Sequence, residues 1–297
     1  MTAPRTPRRI AWAPGRVNLM GDHTDHAGGL VLPMAIELGT TVAGVAGGDV
    51  VRLRSDLADA PAVVPLDVAD PAGVEPPWAR YVAGVVAEIR PGSGFDGEVA
   101  TSLPVGAGLS SSAALEIAVA LALGFDGDRP ALAQLCRRAE QRASGVPCGI
   151  MDQLASAAGV EGAALRIDCT THEVTPVPLP AGVEVLVVHS GEDRALAGSA
   201  YAERVAACRL AEEQIGPLRH AGLDDARAIA DEVVRRRAHH VISECARVDA
   251  LVGALRDGDR PAMAHLMAAS HASLRDDVEV STPALDALVD TLVASPG

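Results

Sequence analysis

Apolar and polar positions follow two different periods along the chain, and the change of period predicts a mixed fold. Residues 37–55 alternate and are rich in β-branched types around a Gly-Gly-Asp turn, which predicts a β-hairpin. Residues 78–90 have apolar side chains at helical spacing, which predicts a helix. FDGEVATSLP, which begins at Phe95, predicts a strand that leads into a turn. The nearly all-apolar residues 110–125 predict a helix that is buried on most sides.

The second half of the chain has a strand-rich stretch and then mostly helical patterns. RPALAQLCRRAEQRAS predicts a helix that ends at Gly145, and residues 162–190 predict strands and turns. From Tyr201 onward the spacing is helical almost to the end, with breaks near GPLRHAGLDD and GDRPAM. Mixed elements followed by helices indicate an α+β or α/β protein with two lobes. Ligand sites often lie between lobes.

Composition indicates a globular protein. Of the 297 residues, 48% are hydrophobic and 22% are charged, and no apolar run approaches the roughly eighteen residues of a membrane span. The first ten residues are basic but lack the apolar region of a secretory signal, so we expect a cytoplasmic protein without a membrane partner. The five cysteines are odd in number and lack CxxC spacing, which predicts reduced thiols rather than disulfides or a zinc cluster.

The charge pattern excludes several classes of function. A formal net charge of −14, without a basic stripe interleaved with aromatics, argues against a nucleic-acid partner. The densest basic cluster, RRRAHH at 235–240, is typical of a solvated helix face. All 25 basic residues are arginine and none is lysine, which excludes a Schiff base, a P-loop lysine and a protein-kinase lysine. If the chain handles ATP, it must hold the phosphates in another way.

A loop of small residues precedes the predicted apolar helix. LPVGAGLSSSAALEIA, residues 103–118, places glycines at a tight turn and three serines at the start of the helix. The unpaired amides and the dipole of a first helical turn favour phosphate, and a serine hydroxyl can ligate Mg²⁺. An ordinary N-cap serine is the alternative interpretation of the same residues.

Charged side chains also cluster near the N terminus, in APGRVNLMGDHTDHAGGLVLPMAI. Arg16 follows a Pro-Gly turn, and Asp22, His23, Asp25 and His26 lie on a short segment that ends in two glycines. This segment has three interpretations. It could bind a metal, although no HExxH or HxxEH motif accompanies it; it could be a solvated acidic turn; or it could recognise a polyol, since carboxylates and imidazoles bond several hydroxyls at once.

AEQRASGVPCGIMDQLASAAG, residues 139–159, carries two further carboxylates. Glu140 lies on a predicted helix, and Asp152 follows a Pro-Cys-Gly turn that should expose it. Apolar neighbours would raise the pKa of Asp152, whereas a nearby arginine would lower it. The alternative role for Asp152 is an N-cap of the following helix.

These three segments together resemble the motifs of the galactokinase family of GHMP small-molecule kinases, in that family's order and spacing. WARYVAGV, SAYAERVAAC, RRAHHVISECARV and HLMAASHASLRDDVEVSTPALDALV resemble further segments of the family, so the resemblance covers nearly the whole chain. It implies an α+β, two-lobed GHMP kinase fold. The N-terminal lobe, residues 1–165, would be similar to ribosomal protein S5, and the C-terminal lobe, residues 166–297, would be a ferredoxin-like α/β domain. The proline cluster PVPLP at 176–180 also indicates a nearby domain boundary.

The resemblance implies an ATP-dependent sugar 1-kinase that converts galactose to galactose 1-phosphate, with Mg²⁺. Kinases for other sugars, or an impaired sensor of sugar and ATP, are the alternatives. We expect a monomer or a weak homo-oligomer. The implied positions are Asp152 and Arg16 for catalysis; Asp22, His23, Asp25, Gly149 and Tyr201 for the sugar; Ser112 and Glu140 for Mg²⁺; and Trp78, Tyr81, Gly106, Ala107, Gly108, Leu109, Ser110, Ser111 and Ser112 for ATP.

Three features depart from the family pattern. Asp22 stands where the family usually has glutamate, and His26 stands where tyrosine is common. Asp22 is one methylene shorter than glutamate, which changes its reach to a sugar hydroxyl. The sequence ends at DALVDTLVASPG, where the family continues into a third, glycine-rich motif, so the resemblance implies an incomplete C-terminal lobe.

Overall fold

The computed structural model describes residues 7–192 and 198–294, which form strands and helices in the α+β arrangement expected. The strands are β1 (Arg8–Asn18), β2 (Leu30–Val31), β3 (Pro33–Ala46), β4 (Val50–Ser55), β5 (Ala58–Pro65), β6 (Phe95–Thr101), β7 (Ala163–Asp168) and β8 (Val174–Pro178). The helices are α1 (Ala79–Ile89), α2 (Ser111–Ala122), α3 (Arg129–Ser144), α4 (Met151–Ala158), α5 (Gly198–Ile215), α6 (Leu223–Arg227), α7 (Glu232–Asp257), α8 (Arg260–Asp276) and α9 (Pro283–Ala294). Within these described ranges, no helix has the length and hydropathy that crossing a bilayer requires.

Contacts divide the chain into two compact units. Unit 1 comprises Met1–Arg16 and Ala35–Gly159, and unit 2 comprises Val17–Met34 and Val160–Gly297. The sequence-based division into residues 1–165 and 166–297 differs from this one, because the segment around β2 joins the second unit. Strand β2 pairs antiparallel with β7, with Leu30 opposite Asp168. The two strands are far apart in the sequence, so composition alone does not predict their pairing.

The five-stranded sheet has the order β1-β3-β6-β4-β5. The hairpin predicted for residues 37–55 is wrong, because β3 and β4 form at the expected places but do not pair with each other. Strand β6 lies between them, antiparallel to β3 and parallel to β4. Gly94, just before β6, exchanges 2.8 Å backbone hydrogen bonds with Gly47 and Gly48 of the turn. The turn between β3 and β4 therefore binds the segment before β6, and the two strands on either side of the turn do not form a hairpin.

Helices α1, α2 and α3 pack in unit 1 around fully buried side chains such as Phe95, Ile117 and Val82. Gly84 of α1 allows a close approach to α3, since a Cβ atom at this position would lie 2.3 Å from the carbonyl oxygen of Ala139. The α1–α3 contact is therefore made by backbone as well as by side chains.

The ends of α3 follow its local sequence. Asp128 is the N-cap, and its carboxylate accepts a 2.8 Å hydrogen bond from the Ala131 amide, while Pro130 occupies the first turn. Gly145 ends the helix in the left-handed conformation, with φ 70°. The predicted helix ending at Gly145 is confirmed.

Unit 2 is built around α7, which packs against α5 and α8 over a second buried cluster that includes Leu218, Val241 and Val248. RRRAHH, in the N-terminal part of α7, is not the solvated face that we predicted. Arg237 and His240 are 8% and 1% exposed, and Arg237 pairs with Glu279 at 2.7 Å. A charge run can lie inside a protein when each charge finds a partner.

Only part of the strand-rich prediction for residues 162–190 holds. Strands β7 and β8 form and pair antiparallel. Residues 183–190 form no strand, and none of the described strands pairs with them. Leu186 in this segment is 82% exposed. A segment rich in β-branched residues forms a strand only where a neighbouring strand supplies the hydrogen-bond ladder.

Candidate active site

Arg16 and Asp152 form an ion pair within unit 1. Two nitrogens of the Arg16 guanidinium, Nε and one terminal nitrogen, lie 2.8 and 2.6 Å from the same Asp152 oxygen, Oδ1. The other terminal nitrogen donates to the carbonyl of Gly108 at 2.6 Å. One planar side chain thus joins the carboxylate to the glycine loop that precedes α2, a geometry that guanidinium suits and an amine does not.

The second oxygen of Asp152 accepts a 2.6 Å hydrogen bond from the hydroxyl of Ser110. Ser110 occupies the N-cap position of α2 but makes no capping hydrogen bond with its side chain, so the ordinary N-cap interpretation is wrong for this serine. Its φ of 57° lies in the left-handed region, which is unusual for a residue other than glycine. The structure holds the serine in this conformation facing the carboxylate.

Gly106 and Gly108 shape the loop before α2. Their φ angles are +82° and +76°, and a Cβ atom at either position would meet nothing within 4 Å. Glycine is needed here for backbone conformation, and the space beside it is open. The loop leads into the first turn of α2, whose amides have no intrahelical partner. Open space and unpaired donors are the features that a phosphate site requires.

The end of β1 is fixed where it presents Arg16. A Cβ atom at Gly15 would lie 2.6 Å from the carbonyl oxygen of Leu109, so only glycine allows this approach. The Arg16 amide donates to the same carbonyl at 3.2 Å. On the other side, the hydroxyl of Ser156 in α4 donates to the Pro14 carbonyl at 2.7 Å.

Asp152 lies in the first turn of α4, and Ile150 is the N-cap. The interpretation of Asp152 as an N-cap is therefore wrong. Position in the first turn still matters, because the partial positive charge at a helix N terminus stabilises a carboxylate.

Ser112 and Glu140 approach each other at the start of α2 and the end of α3. The Ser112 hydroxyl donates to Oε1 of Glu140 at 2.9 Å, and the Gln153 amide donates to Oε2 at 2.5 Å. Burial raises the pKa of Glu140, the Asp152 charge raises it further, and these hydrogen bonds oppose the shift. A hydroxyl and a carboxylate at this distance present hard oxygen atoms, which Mg²⁺ prefers.

A third carboxyl group, Glu116 of α2, lies behind this pair, and sequence analysis missed it. Glu116 is fully buried, and the Gln153 amide lies 3.4 Å from its Oε2. Burial, followed by the charge of Glu140, raises the pKa of Glu116 well above its usual value, which favours the neutral form. A glutamate inside an otherwise apolar helix was the available signal.

Trp78, Tyr81 and Gly149 are also in unit 1. Trp78 precedes α1 and donates from its indole nitrogen to the Ala60 carbonyl at 3.2 Å. Tyr81 lies on α1, where burial raises the pKa of its phenol and Glu140 raises it further. Gly149 is buried just before α4.

Unit 2 contains residues 21–29, here called the acidic loop. Its residues Asp22, His23 and Asp25 are half-buried, so it is not a fully solvated turn. The rings of His23 and His26 both lie beside the ring of Tyr201 on α5, with centroid distances of 5.7 and 5.9 Å. Burial lowers the pKa of His26 to about 4, and the charge of Arg209 adds to this effect. The loop therefore carries carboxylates beside a cluster of three rings, of which His26 is neutral.

The metal interpretation of the acidic loop finds no support in its geometry. Among residues 7–192 and 198–294, no three His, Cys, Asp or Glu side chains form a group that could hold a metal ion.

The two sets of predicted residues belong to different units. Unit 1 contains Arg16, Trp78, Tyr81, Gly106, Ala107, Gly108, Leu109, Ser110, Ser111, Ser112, Glu140, Gly149 and Asp152, whereas unit 2 contains Asp22, His23, Asp25 and Tyr201. Within unit 1, the structure brings Arg16, Gly108, Ser110 and Asp152 into direct contact. Ser112 and Glu140 form a separate contact.

Comparison with known proteins places both sets of motifs in one family. Residues 3–45 match the family described as galactokinase galactose-binding signature, and residues 80–160 match the GHMP kinases N terminal domain. The chain is 43% identical to galactokinase from Homo sapiens in an alignment of 311 positions, which covers 98% of this chain and 79% of that protein. It is 41% identical to galactokinase from Bos taurus, with the same coverage.

Solved structures agree with the sequence comparison. Lactococcus lactis galactokinase complexed with galactose has 31% identity and a TM-score of 0.87, over 98% of this chain and 80% of that chain. Methanococcus jannaschii mevalonate kinase has 18% identity and a TM-score of 0.62, over 97% and 84% of the two chains, which shows a common fold alone. The predicted α+β GHMP kinase fold is confirmed.

Proposed function

This chain belongs to the galactokinase family of the GHMP kinases, and we propose that it transfers the γ-phosphoryl group of ATP to the anomeric hydroxyl of galactose. The products are galactose 1-phosphate and ADP. Family membership supports the class of reaction, and the contact of Arg16 with both Asp152 and the Gly108 carbonyl is the structural observation that carries the mechanism.

Asp152 is the general base in this proposal. Its carboxylate removes the proton of the anomeric hydroxyl as the sugar oxygen attacks the γ-phosphorus. General-base help contributes roughly 10² to 10⁴ in rate. The Ser110 hydroxyl, 2.6 Å from Oδ2, holds the carboxylate in place and yields that oxygen to the substrate hydroxyl.

Arg16 has two tasks in the proposal. Its guanidinium orients Asp152 through two contacts to Oδ1, and its positive charge lies next to the glycine loop, where the transferred phosphoryl group would carry negative charge. Phosphoryl transfer depends mainly on alignment and on such electrostatic stabilisation.

The ATP phosphates would lie on the loop from Gly106 to Ser112, and Trp78 and Tyr81 would border the adenine. The open space beside Gly106 and Gly108 and the unpaired amides of the first turn of α2 support this assignment. Ser112 and Glu140 fit a magnesium ion, since one carboxylate and one hydroxyl would leave positions for phosphate oxygens and water. When bound, Mg²⁺ neutralises charge on the β- and γ-phosphates.

The acidic loop would bind the sugar through Asp22, His23 and Asp25, together with Tyr201. Half-buried carboxylates and an imidazole can accept and donate several hydrogen bonds, as a polyol requires. Substrate choice depends on this geometry, and the shorter Asp22 makes the identity of the sugar a point to test.

An assay of ADP release over galactose, N-acetylgalactosamine, arabinose and mevalonate tests the proposal. Release with galactose alone supports it. Release with another member of the panel and not with galactose would assign a different substrate, and binding of galactose without turnover would make the chain a sensor.

We further propose that the enzyme works in the cytoplasm as a monomer or a weak homo-oligomer. All five cysteines are free thiols, which suits a reducing compartment. Light scattering after size exclusion, over a range of concentrations, measures the oligomeric state.

A further inference from the structure

Helix α7 holds the backbone of the acidic loop at its first two residues. The His240 ring donates from Nε2 to the carbonyl of Asp22 at 2.8 Å. One turn later, Oε1 of Glu244 accepts a 3.0 Å hydrogen bond from the Gly21 amide. Both partners are more than 200 residues away along the chain, and neither contact uses the side chain of the loop residue.

The two α7 side chains are buried, which makes these contacts strong constraints. His240 is 1% exposed and Glu244 is 0% exposed. A buried polar group that loses its partner cannot turn to water instead. The Asp22 carbonyl and the Gly21 amide therefore have a substantial energetic preference for the positions that α7 dictates.

The hydrogen-bond pattern fixes the tautomer of His240. A carbonyl only accepts, so Nε2 carries the proton. Burial lowers the pKa of His240, which favours the neutral ring. Nδ1 lies 2.9 Å from the hydroxyl oxygen of Ser273, and this hydroxyl donates to Oδ2 of Asp277 at 2.7 Å. One side of the ring thus faces the acidic loop, and the other side faces α8.

The loop residue that follows Asp22 needs such support. His23 has a φ of 59°, in the left-handed region, where a side chain other than glycine is strained. Strained residues persist when the surrounding structure holds them, and they concentrate at functional sites. The carbonyl that His240 binds belongs to the peptide group directly before His23.

We propose that His240 and Glu244 are positioning residues for sugar recognition, which fix the backbone at Gly21 and Asp22 so that the side chains of Asp22 and His23 meet the sugar hydroxyls. This inference rests on the proposed role of the acidic loop as the sugar site. It gives a function to two residues of the segment RRAHHVISECARV, for which sequence analysis gave only a resemblance to the family.

The competing explanation is a merely structural role, in which α7 stabilises unit 2 and nothing more. Ser273 separates the two explanations, because it binds the same ring on the side that does not face the loop. Loss of its hydroxyl removes one contact of His240 and one of Asp277, and it leaves the bond from His240 to the Asp22 carbonyl intact. Variants at Ser273 and at His240 should therefore both lower stability. Only a variant at His240 should lower the affinity for the sugar.

Three variants of the full chain test the proposal: His240→Asn, His240→Gln and Ser273→Ala. An asparagine amide ends near the place of Nδ1 and cannot reach the Asp22 carbonyl, whereas a glutamine amide ends near the place of Nε2. We expect His240→Asn to raise the KM and the Kd for galactose by about tenfold or more, because small displacements of binding groups are costly. The KM for ATP should stay within about twofold.

His240→Gln should recover most of the galactose affinity, and Ser273→Ala should lower Tm without changing the galactose Kd. Calorimetry measures the Kd separately from turnover. An unchanged galactose Kd in His240→Asn, or equal losses for galactose and ATP that follow Tm, would overturn the positioning role and leave the proposed function intact. A wild-type chain that neither binds nor phosphorylates galactose would overturn both.

Discussion

Arg16 and Asp152 are 136 positions apart in the sequence, and the Arg16 guanidinium contacts a single oxygen of Asp152 through two nitrogens, at 2.8 and 2.6 Å. The other oxygen accepts from Ser110. Both oxygens of the carboxylate are therefore held by hydrogen bonds. Arg16 also donates to the carbonyl of Gly108 in the glycine loop.

Asp152→Asn should impair turnover much more than sugar binding. The amide has the same shape but cannot take the proton, so kcat should fall by roughly 10² to 10⁴, equivalent to about 3 to 5 kcal/mol. Steady-state kinetics and calorimetry with galactose measure the two effects. Near-normal kcat would disprove the role of the base.

Arg16→Lys should also lower kcat, by on the order of 10². Lysine keeps the charge but cannot contact Asp152 and the Gly108 carbonyl with one planar group. Arg129→Lys, an exposed change at the start of α3, is the matched control and should have no effect. Equal activity of both variants would show that charge alone suffices at position 16.

Glu140→Gln should raise the concentration of Mg²⁺ needed for half-maximal activity by roughly 10-fold or more, since a neutral amide is a poorer ligand than a carboxylate. Titration of activity with MgCl₂, and of Mg²⁺-dependent ADP binding by calorimetry, measures the shift. Glu98→Gln, on the exposed side of β6, is the control. The assignment fails if both variants have the wild-type Mg²⁺ dependence.

Glu116→Gln should change the pH dependence of stability. In the folded protein, burial holds the pKa of Glu116 well above the value of about 4.5 expected for the unfolded chain. As pH rises above that lower value, the unfolded state loses the proton first, and the free energy of unfolding of the wild type decreases. Glutamine removes this loss. Thermal unfolding should show an advantage of the variant that grows between pH 5 and pH 8; a constant difference would contradict the raised pKa.

Gly84→Ala should destabilise the protein by about 1 to 3 kcal/mol, because the added Cβ would collide with the backbone of α3 at Ala139. This strain should exceed the gain of about 1 kcal/mol in helix propensity. Gly92→Ala, where a Cβ meets nothing within 4 Å, is the control. Denaturant unfolding of both variants decides the matter.

Local sequence determines the helices of unit 1 well. The bounds of α3 follow from Asp128, Pro130 and Gly145, which act within one turn of the helix. The order of strands does not follow from the local pattern. The turn at Gly47 and Gly48 connects β3 to β4, but Gly94 bonds to this turn and β6 lies between the two strands. Residues 183–190 are rich in β-branched side chains, but no described strand pairs with them.

The candidate site shows the same limit. The family resemblance implied Arg16, Asp152, Ser112 and Glu140 as site residues, and the structure joins them in two pairs within unit 1. Sequence could not show that Ser110 bonds a carboxylate instead of capping its helix, or that His240 is buried. Both facts depend on side chains that meet across long separations in sequence, for which no local period exists.

Two residues with side chains, His23 and Ser110, adopt the left-handed conformation within the proposed sugar and phosphate segments. Glycine at either position would relieve this backbone strain but would also remove the side chain, so His23→Gly or Ser110→Gly should lose catalytic efficiency even where the backbone becomes less strained. Durability and performance are therefore in direct competition at these two places, and a designer who wants both must look for added stability elsewhere in the chain.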